Sequence, residues 1–202
     1  MSSLIDNKFK DWTRGLSQEE ARVNIYRQIQ DIPYAVVLDH FDPEKGPERM
    51  LSDNKGSCVP KHYLLGLLYN RLGIGVRYHT YAFKWDEMDI VFPKNVRALI
   101  LEIPETYHLA CKVLVGSKWV LVDATWDLSL KSTGLPVNDK WDGYSDTMLA
   151  VNPFDEFVHE NIEEREKCLE EKLREYGLPE KLKLSRFAIE FNKWLETFRH
   201  RA

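Results

Sequence analysis

The sequence predicts an α+β fold: a helix that begins at a cysteine and packs on an antiparallel sheet, with further helices at the N- and C-terminal ends. Three patterns predict it. An apolar helical stripe follows Cys58. A period-two alternation runs from His108 to Val115 and returns after a Gly-Ser turn. Helical periodicity then resumes from about Phe157 to the end of the chain. With 202 residues, 44 % of them apolar, the chain suffices for one sizeable core and is short for two, so residues 1–202 are read as a single domain.

Taken in order, Met1-Ser-Ser-Leu-Ile-Asp-Asn-Lys8 lacks the apolar core of a secretory signal, and no later stretch approaches membrane length. Ser17-Gln-Glu-Glu20 is a capping-box signature, continued by Val23, Tyr26 and Ile29 as a helix that ends before Pro33. Asp42 to Pro47 is turn-rich. The next helix starts at Cys58, with Ser57 expected to cap it, Pro60 tolerated in its first turn and Gly73 ending it in a left-handed conformation. Tyr63, Leu64, Leu67, Leu68 and Leu72 give that helix a wide apolar face. A strand is expected from Ile74 to Phe83. Residues 84–106 mix polar and apolar runs and read as an excursion that walls a cleft.

The hairpin follows. Leu109, Cys111, Val113 and Val115 alternate with His108, Ala110, Lys112 and Leu114, and Gly116-Ser117 supplies a two-residue turn before Lys118 to Thr125 returns. If Val115 pairs with Lys118, His108 lies opposite Thr125 and Asp123 is its diagonal neighbour on the same face. Such neighbours sit about 7–8 Å apart at the backbone, within reach of imidazole and carboxylate. Cys111 then falls on the other face with Leu109, Val113, Val120 and Val122; a slip of one residue would reverse this. Residues 131–144, rich in Gly, Pro, Asn and Asp, read as loop. Residues 153–202 read as a helical extension packed on the core. One stripe there is Ile162, Leu169, Leu173 and Tyr176; another is Phe187, Phe191, Trp194, Leu195 and Phe198.

These elements bring Cys58, His108 and Asp123 forward as the candidate catalytic set. A thiol in the first turn of a helix feels the positive end of the backbone dipole and its unpaired N–H groups, and both favour thiolate. The same N–H groups suit an oxyanion. Asp127 competes with Asp123 for the third place. His62, one turn after Cys58, is an alternative base or a solvent-facing histidine. Tyr34, Trp85, Tyr107 and Trp126 are the candidate walls of a substrate cleft, with Tyr34 also a candidate second oxyanion donor. His79 is expected to pack, Cys111 to be core, and Cys168 to be a partly buried bystander. His159-Glu-Asn-Ile-Glu163 lacks the second His of a helical zinc motif, so neither a metal nor a cofactor is expected.

The net charge of −4 is mild and Lys and Arg are scattered among acids, which leaves no nucleic-acid footprint and no membrane-binding signal. Three widely separated cysteines make neither a disulfide framework nor a zinc site, and a reducing, cytoplasmic setting is expected.

Gly56-Ser-Cys58 before an apolar helix, Leu72-Gly-Ile-Gly-Val-Arg77 after it, and Lys118-Trp-Val-Leu-Val-Asp-Ala-Thr-Trp-Asp127 together resemble the transglutaminase-like superfamily. The resemblance covers roughly residues 32–127. It implies a papain-like core in which a helix-borne Cys precedes a His and an Asp on neighbouring strands. Where that family usually has an aromatic two residues after the His, this chain has Ala110. The implied chemistry is acyl transfer at an amide bond of a peptide or protein through a thioester. Hydrolysis by a peptidase or amidase is the leading expectation. Alternatives are transfer from protein glutamine to an amine, or an inactive binding or scaffold relative; acetyl transfer from coenzyme A ranks last. No Asp-x-Asp calcium loop with glycine is present.

Overall fold

The computed structural model describes residues 3–199. Its helices are α1 (Ser3–Thr13), α2 (Gln18–Gln30), α3 (Gly46–Asp53), α4 (Cys58–Arg71), α5 (Lys94–Ile100), α6 (Ile162–Leu173) and α7 (Leu178–Arg199). The strands β1 (Val76–Phe83), β2 (Thr106–Val115), β3 (Lys118–Val122) and β4 (Pro153–His159) form one antiparallel sheet in the order β3-β2-β1-β4. The fold is α+β.

Local chemistry sets several of these boundaries. At α2 both halves of the capping box form between Ser17 and Glu20. Gly73 takes a positive φ of 76° just past α4, the left-handed stop that only glycine adopts freely. The hairpin has the expected register, with Val115 opposite Lys118 and Cys111 opposite Val122. β3 stops at Val122, however, three residues short of the expected end. Side chains take over where the ladder would continue: the Asp123 N–H bonds Thr147 Oγ1 at 2.8 Å, and the Ala124 N–H bonds His62 Nε2 at 3.0 Å.

Three helices, α1, α3 and α5, were not anticipated. For α1 the signal is present, since Ile5, Phe9 and Trp12 recur at helical spacing and pack on the core. The C-terminal extension also needs correction. Residues 153–159 are not helical but form the edge strand β4, with Tyr78 opposite His159 and Tyr81 opposite Glu156. The helix begins only at Ile162, where the Asn161 side chain accepts from the Glu164 N–H at 2.8 Å. Phe157 and Val158 belong to the strand period.

The core has two clusters. One lies between α4 and the sheet and includes Ile25, Tyr63, Leu64, Leu68, Cys111 and Val120. The other gathers Tyr34, Trp85, Val96, Trp126, Phe187 and Phe191. In it Phe191 meets Trp85 at 4.8 Å and Phe187 at 5.2 Å between ring centroids. Polar ties fix α7 as well: Asn192 exchanges two bonds of 2.9 Å with the backbone of Val36, as a strand partner would. Among the described residues no helix is long and apolar enough to cross a membrane.

If α7 is part of the core, Phe191→Ala should lower unfolding free energy by about 3–5 kcal/mol, the usual cost of emptying a buried phenylalanine site. Urea unfolding followed by circular dichroism measures this. A loss below about 1 kcal/mol would mean that α7 is a loosely attached appendage.

Candidate active site

Cys58 is the first residue of α4, and Ser57 occupies the cap position without capping. A cap side chain bonds the N–H of the second or third helical residue, and the third here is Pro60, which has none. The Ser57 hydroxyl is instead buried without a partner, at the wall of the cavity next to Cys58. Pro60 thus frees a polar group at the site, and the first-turn N–H groups of Cys58 and Val59 lack intrahelical acceptors by position.

Because β3 leaves the ladder at Val122, the edge of β2 near His108 has no strand beside it. Cys58 and His108 line the same cavity there, and the thiol is near enough to the His108 side chain and the Leu109 backbone N–H for both to favour its thiolate form. His108 Nε2 lies 2.8 Å from Asp123 Oδ2. Asp123 is held by more than His108. Its Oδ2 also accepts from the Ala150 N–H at 2.8 Å, and its Oδ1 from the Thr125 N–H at 3.1 Å. All three side chains are buried, Cys58 at 8 % exposure, His108 at 3 % and Asp123 at 1 %.

Burial alone would raise the Cys58 thiol pKa. The charge and hydrogen bond of His108, with the Leu109 N–H, outweigh it and bring the thiol below its ordinary value. His108 shows the reciprocal effect. Burial pulls it down, but Asp123 and then Cys58 push it up to about 10. Asp123 is raised by burial, yet His108 above all holds it well below the usual carboxylate range. The charge of His108 thus favours both the Cys58 thiolate and the Asp123 carboxylate, which through space disfavour each other.

His62 is not the solvent-facing residue expected, nor is it placed as a base. It is fully buried, with Nδ1 2.8 Å from the Cys58 carbonyl oxygen and Nε2 3.0 Å from the Ala124 nitrogen. Since the Ala124 N–H must donate, Nε2 accepts and Nδ1 carries the proton. Both ring nitrogens are used, and burial lowers the pKa to about 4, so the ring is neutral and splints α4 to the segment bearing Asp123. Next to it Lys61 is buried, donating to the carbonyls of Gln30 and Thr125 at 3.0 and 2.8 Å; burial brings it down to about 7.

Asp127 sits elsewhere. Its Oδ2 accepts from the Tyr34 N–H at 2.7 Å and from Arg199 at 2.8 Å, and its Oδ1 from the Ser129 hydroxyl, so it clasps the chain before α3 to the end of α7. Tyr34, Trp85, Tyr107 and Trp126 all line one cavity of about 350 Å³ that reaches Cys58 and His108. The rings of Tyr34 and Trp126 lie 4.4 Å apart. α6 and α7 supply the opposite wall, including Arg165 and Phe187. Cys111 is buried on the α4 side, 3.5 Å from the His62 carbonyl; Cys168 is partly exposed; His79 is buried and bonds Glu156 at 2.6 Å. Sequence reasoning gave His62 another role and did not bring Ala150, Thr147, Leu109 or Arg165 to the site. Only His62, one helical turn from Cys58, carried a signal. Among the described residues no cluster of three His, Cys, Asp or Glu side chains is placed to hold a metal ion.

No family model matches the chain, and no curated protein matches it. Among solved structures, the chain is similar to "a Putative Cysteine Protease from Cytophaga hutchinsonii", with 16 % identity and a TM-score of 0.41 over 78 % of this chain and 47 % of that one. The chain therefore spans about half the length of that protein. At this level the similarity carries no weight in assigning the site.

The three thiols should separate sharply on limited alkylation. Near pH 6, iodoacetamide should modify Cys58 first, and His108→Ala should slow it at least about tenfold, because a free thiol of pKa about 8.5 is almost wholly protonated there. Cys111 should react only on unfolding. Peptide mapping reads the outcome; equal labelling of Cys58 and Cys168, unchanged by His108→Ala, would mean that the thiol is not activated.

Proposed function

We propose that the chain is a cysteine-nucleophile acyl-transfer enzyme of the transglutaminase-like type, acting on an amide bond through Cys58, His108 and Asp123. One observation carries this reading: Asp123 holds His108 at 2.8 Å through Nε2, and His108 shares the cavity wall with Cys58, whose thiol pKa it lowers. In this reading the Cys58 thiolate attacks the amide carbonyl carbon. First-turn N–H groups of α4 face the oxyanion that develops, with the Ser57 hydroxyl beside them. As the C–N bond breaks, His108 gives its Nδ1 proton to the leaving amine, leaving a thioester on Cys58. Water then attacks the thioester, His108 takes its proton, and the acid leaves as the thiolate re-forms. An amine in place of water would give transfer from the same thioester.

Asp123 keeps the Nε2 proton on His108 and stabilises the imidazolium. The substrate class is a peptide or protein amide admitted between the walls of Tyr34, Trp85, Tyr107 and Trp126. Residues 32–127 would form the catalytic core of one domain, with the C-terminal helices closing the cleft.

A peptidyl acyloxymethyl ketone, which alkylates activated thiols, should give a single adduct that peptide mapping places on Cys58. Cys58→Ala should abolish both the adduct and amide turnover while leaving the circular dichroism spectrum unchanged. Asp123→Asn should slow turnover by up to about 10⁴-fold, as loss of the orienting carboxylate does in serine proteases. Full activity in folded Cys58→Ala would refute the nucleophile assignment.

A further inference from the structure

The cavity beside Cys58 is apolar along most of its wall, formed by aromatic and aliphatic side chains from eight stretches of the chain. Its volume of about 350 Å³ falls at the low end of the roughly 300–1,000 Å³ typical of small-molecule sites. A few charged side chains break the pattern, and one of them is basic and buried. Arg165, in α6, lines the cavity and is 1 % exposed. Its Nη1 donates to the Tyr63 hydroxyl at 2.9 Å and to Glu166 Oε1 at 2.6 Å, but Nε and Nη2 are buried without a hydrogen-bond partner. Those two N–H groups lie on one edge of the guanidinium and point the same way, the spacing that a carboxylate fills with two parallel bonds.

Two buried, unsatisfied donors on a permanent cation are costly to leave unmet. Glu166 does not meet them: it reaches only Nη1, and its side chain is 34 % exposed, so solvent shares its charge. The other acid at the cavity, Glu105, already accepts from the Tyr107 hydroxyl at 2.6 Å. Arg165 and Cys58 line the same cavity.

We propose that the cavity binds an amide substrate with an apolar body and a carboxylate, such as an N-acyl amino acid or the C-terminal end of a peptide, and that the Nε–Nη2 edge of Arg165 receives the carboxylate. This rests on the acyl-transfer reading for the position of the amide, but the binding claim is separable from it. The Ser57, Thr106 and Thr125 hydroxyls, all buried at the cavity wall without partners, supply further contacts for the amide and its flanks.

Binding of N-octanoyl-phenylalanine and of its neutral primary amide to the full-length Cys58→Ala protein tests this without turnover. Calorimetry measures both affinities. The acid should bind about tenfold more tightly or better, the worth of one good charge-assisted contact. Arg165→Gln should erase that difference, and Arg165→Lys should lose most of it by removing the paired edge. Equal affinities, or no binding of either compound, in protein that retains Arg165 would overturn the proposal even if the Arg165 variants fail to fold. A Cys58 adduct together with equal affinities would refute the carboxylate site alone. A preference for the acid without any adduct would refute the acyl-transfer reading and leave a carboxylate-binding pocket.

Discussion

A carboxylate buried beneath the hairpin holds the site together. Asp123 is 1 % exposed, and an isolated ionised carboxylate at such a depth would take up a proton rather than stay charged. It stays charged because three groups converge on it. His108 and the Ala150 N–H share Oδ2, while the Thr125 N–H donates to Oδ1. These come from β2, from the segment before β4 and from the chain just after β3. Desolvation thus becomes a constraint on where three pieces of backbone lie. The charge that survives raises the pKa of His108, whose own charge in turn lowers that of Cys58.

The site also depends on the failure of regular structure around it. β3 ends early because Thr147 and His62 satisfy the N–H groups of Asp123 and Ala124, and the stretch of β2 that carries His108 is left without β3 beside it, at the cavity that Cys58 also lines. Pro60 removes one of the two donors that Ser57 could cap, and the Ser57 hydroxyl is buried without a partner at the cavity. Asp127, only four residues from Asp123, serves a different end. Its bonds to the Tyr34 N–H and Arg199 fasten α7 across the chain before α3, and the aromatic cluster around Phe191 grows under that clasp. One acid tunes a proton and the other closes a wall.

Much of this was legible in the sequence because it rests on short-range rules. The Gly116-Ser117 turn set the hairpin register, and register alone put His108 and Asp123 on one face and Cys111 on the other. Helix-start chemistry placed Cys58, and Gly73 marked the stop. What escaped was set by long-range contact. β4 is an edge strand whose pairing with β1 the local pattern of residues 153–159 does not announce, and its two aromatics, so close to Asn161, read as the first turn of α6. His62 read as exposed because its partners, the Cys58 carbonyl and the Ala124 N–H, are known only once the chain is folded. Arg165 lies within a run of acids and bases that carries no local mark of a site, and only the fold brings it against Tyr63 and the cavity.

The central claim is that Cys58 and His108 form an ion pair sustained by Asp123, and the charge on His108 reports it most directly. Nuclear magnetic resonance of protein carrying ¹⁵N-labelled histidine follows the imidazole nitrogens as pH rises. The account predicts that His108 stays an imidazolium well past pH 8, titrating near 10, and that Cys58→Ala lowers its pKa by removing the thiolate. A neutral His108 ring at pH 7, with the same titration in both proteins, would contradict it.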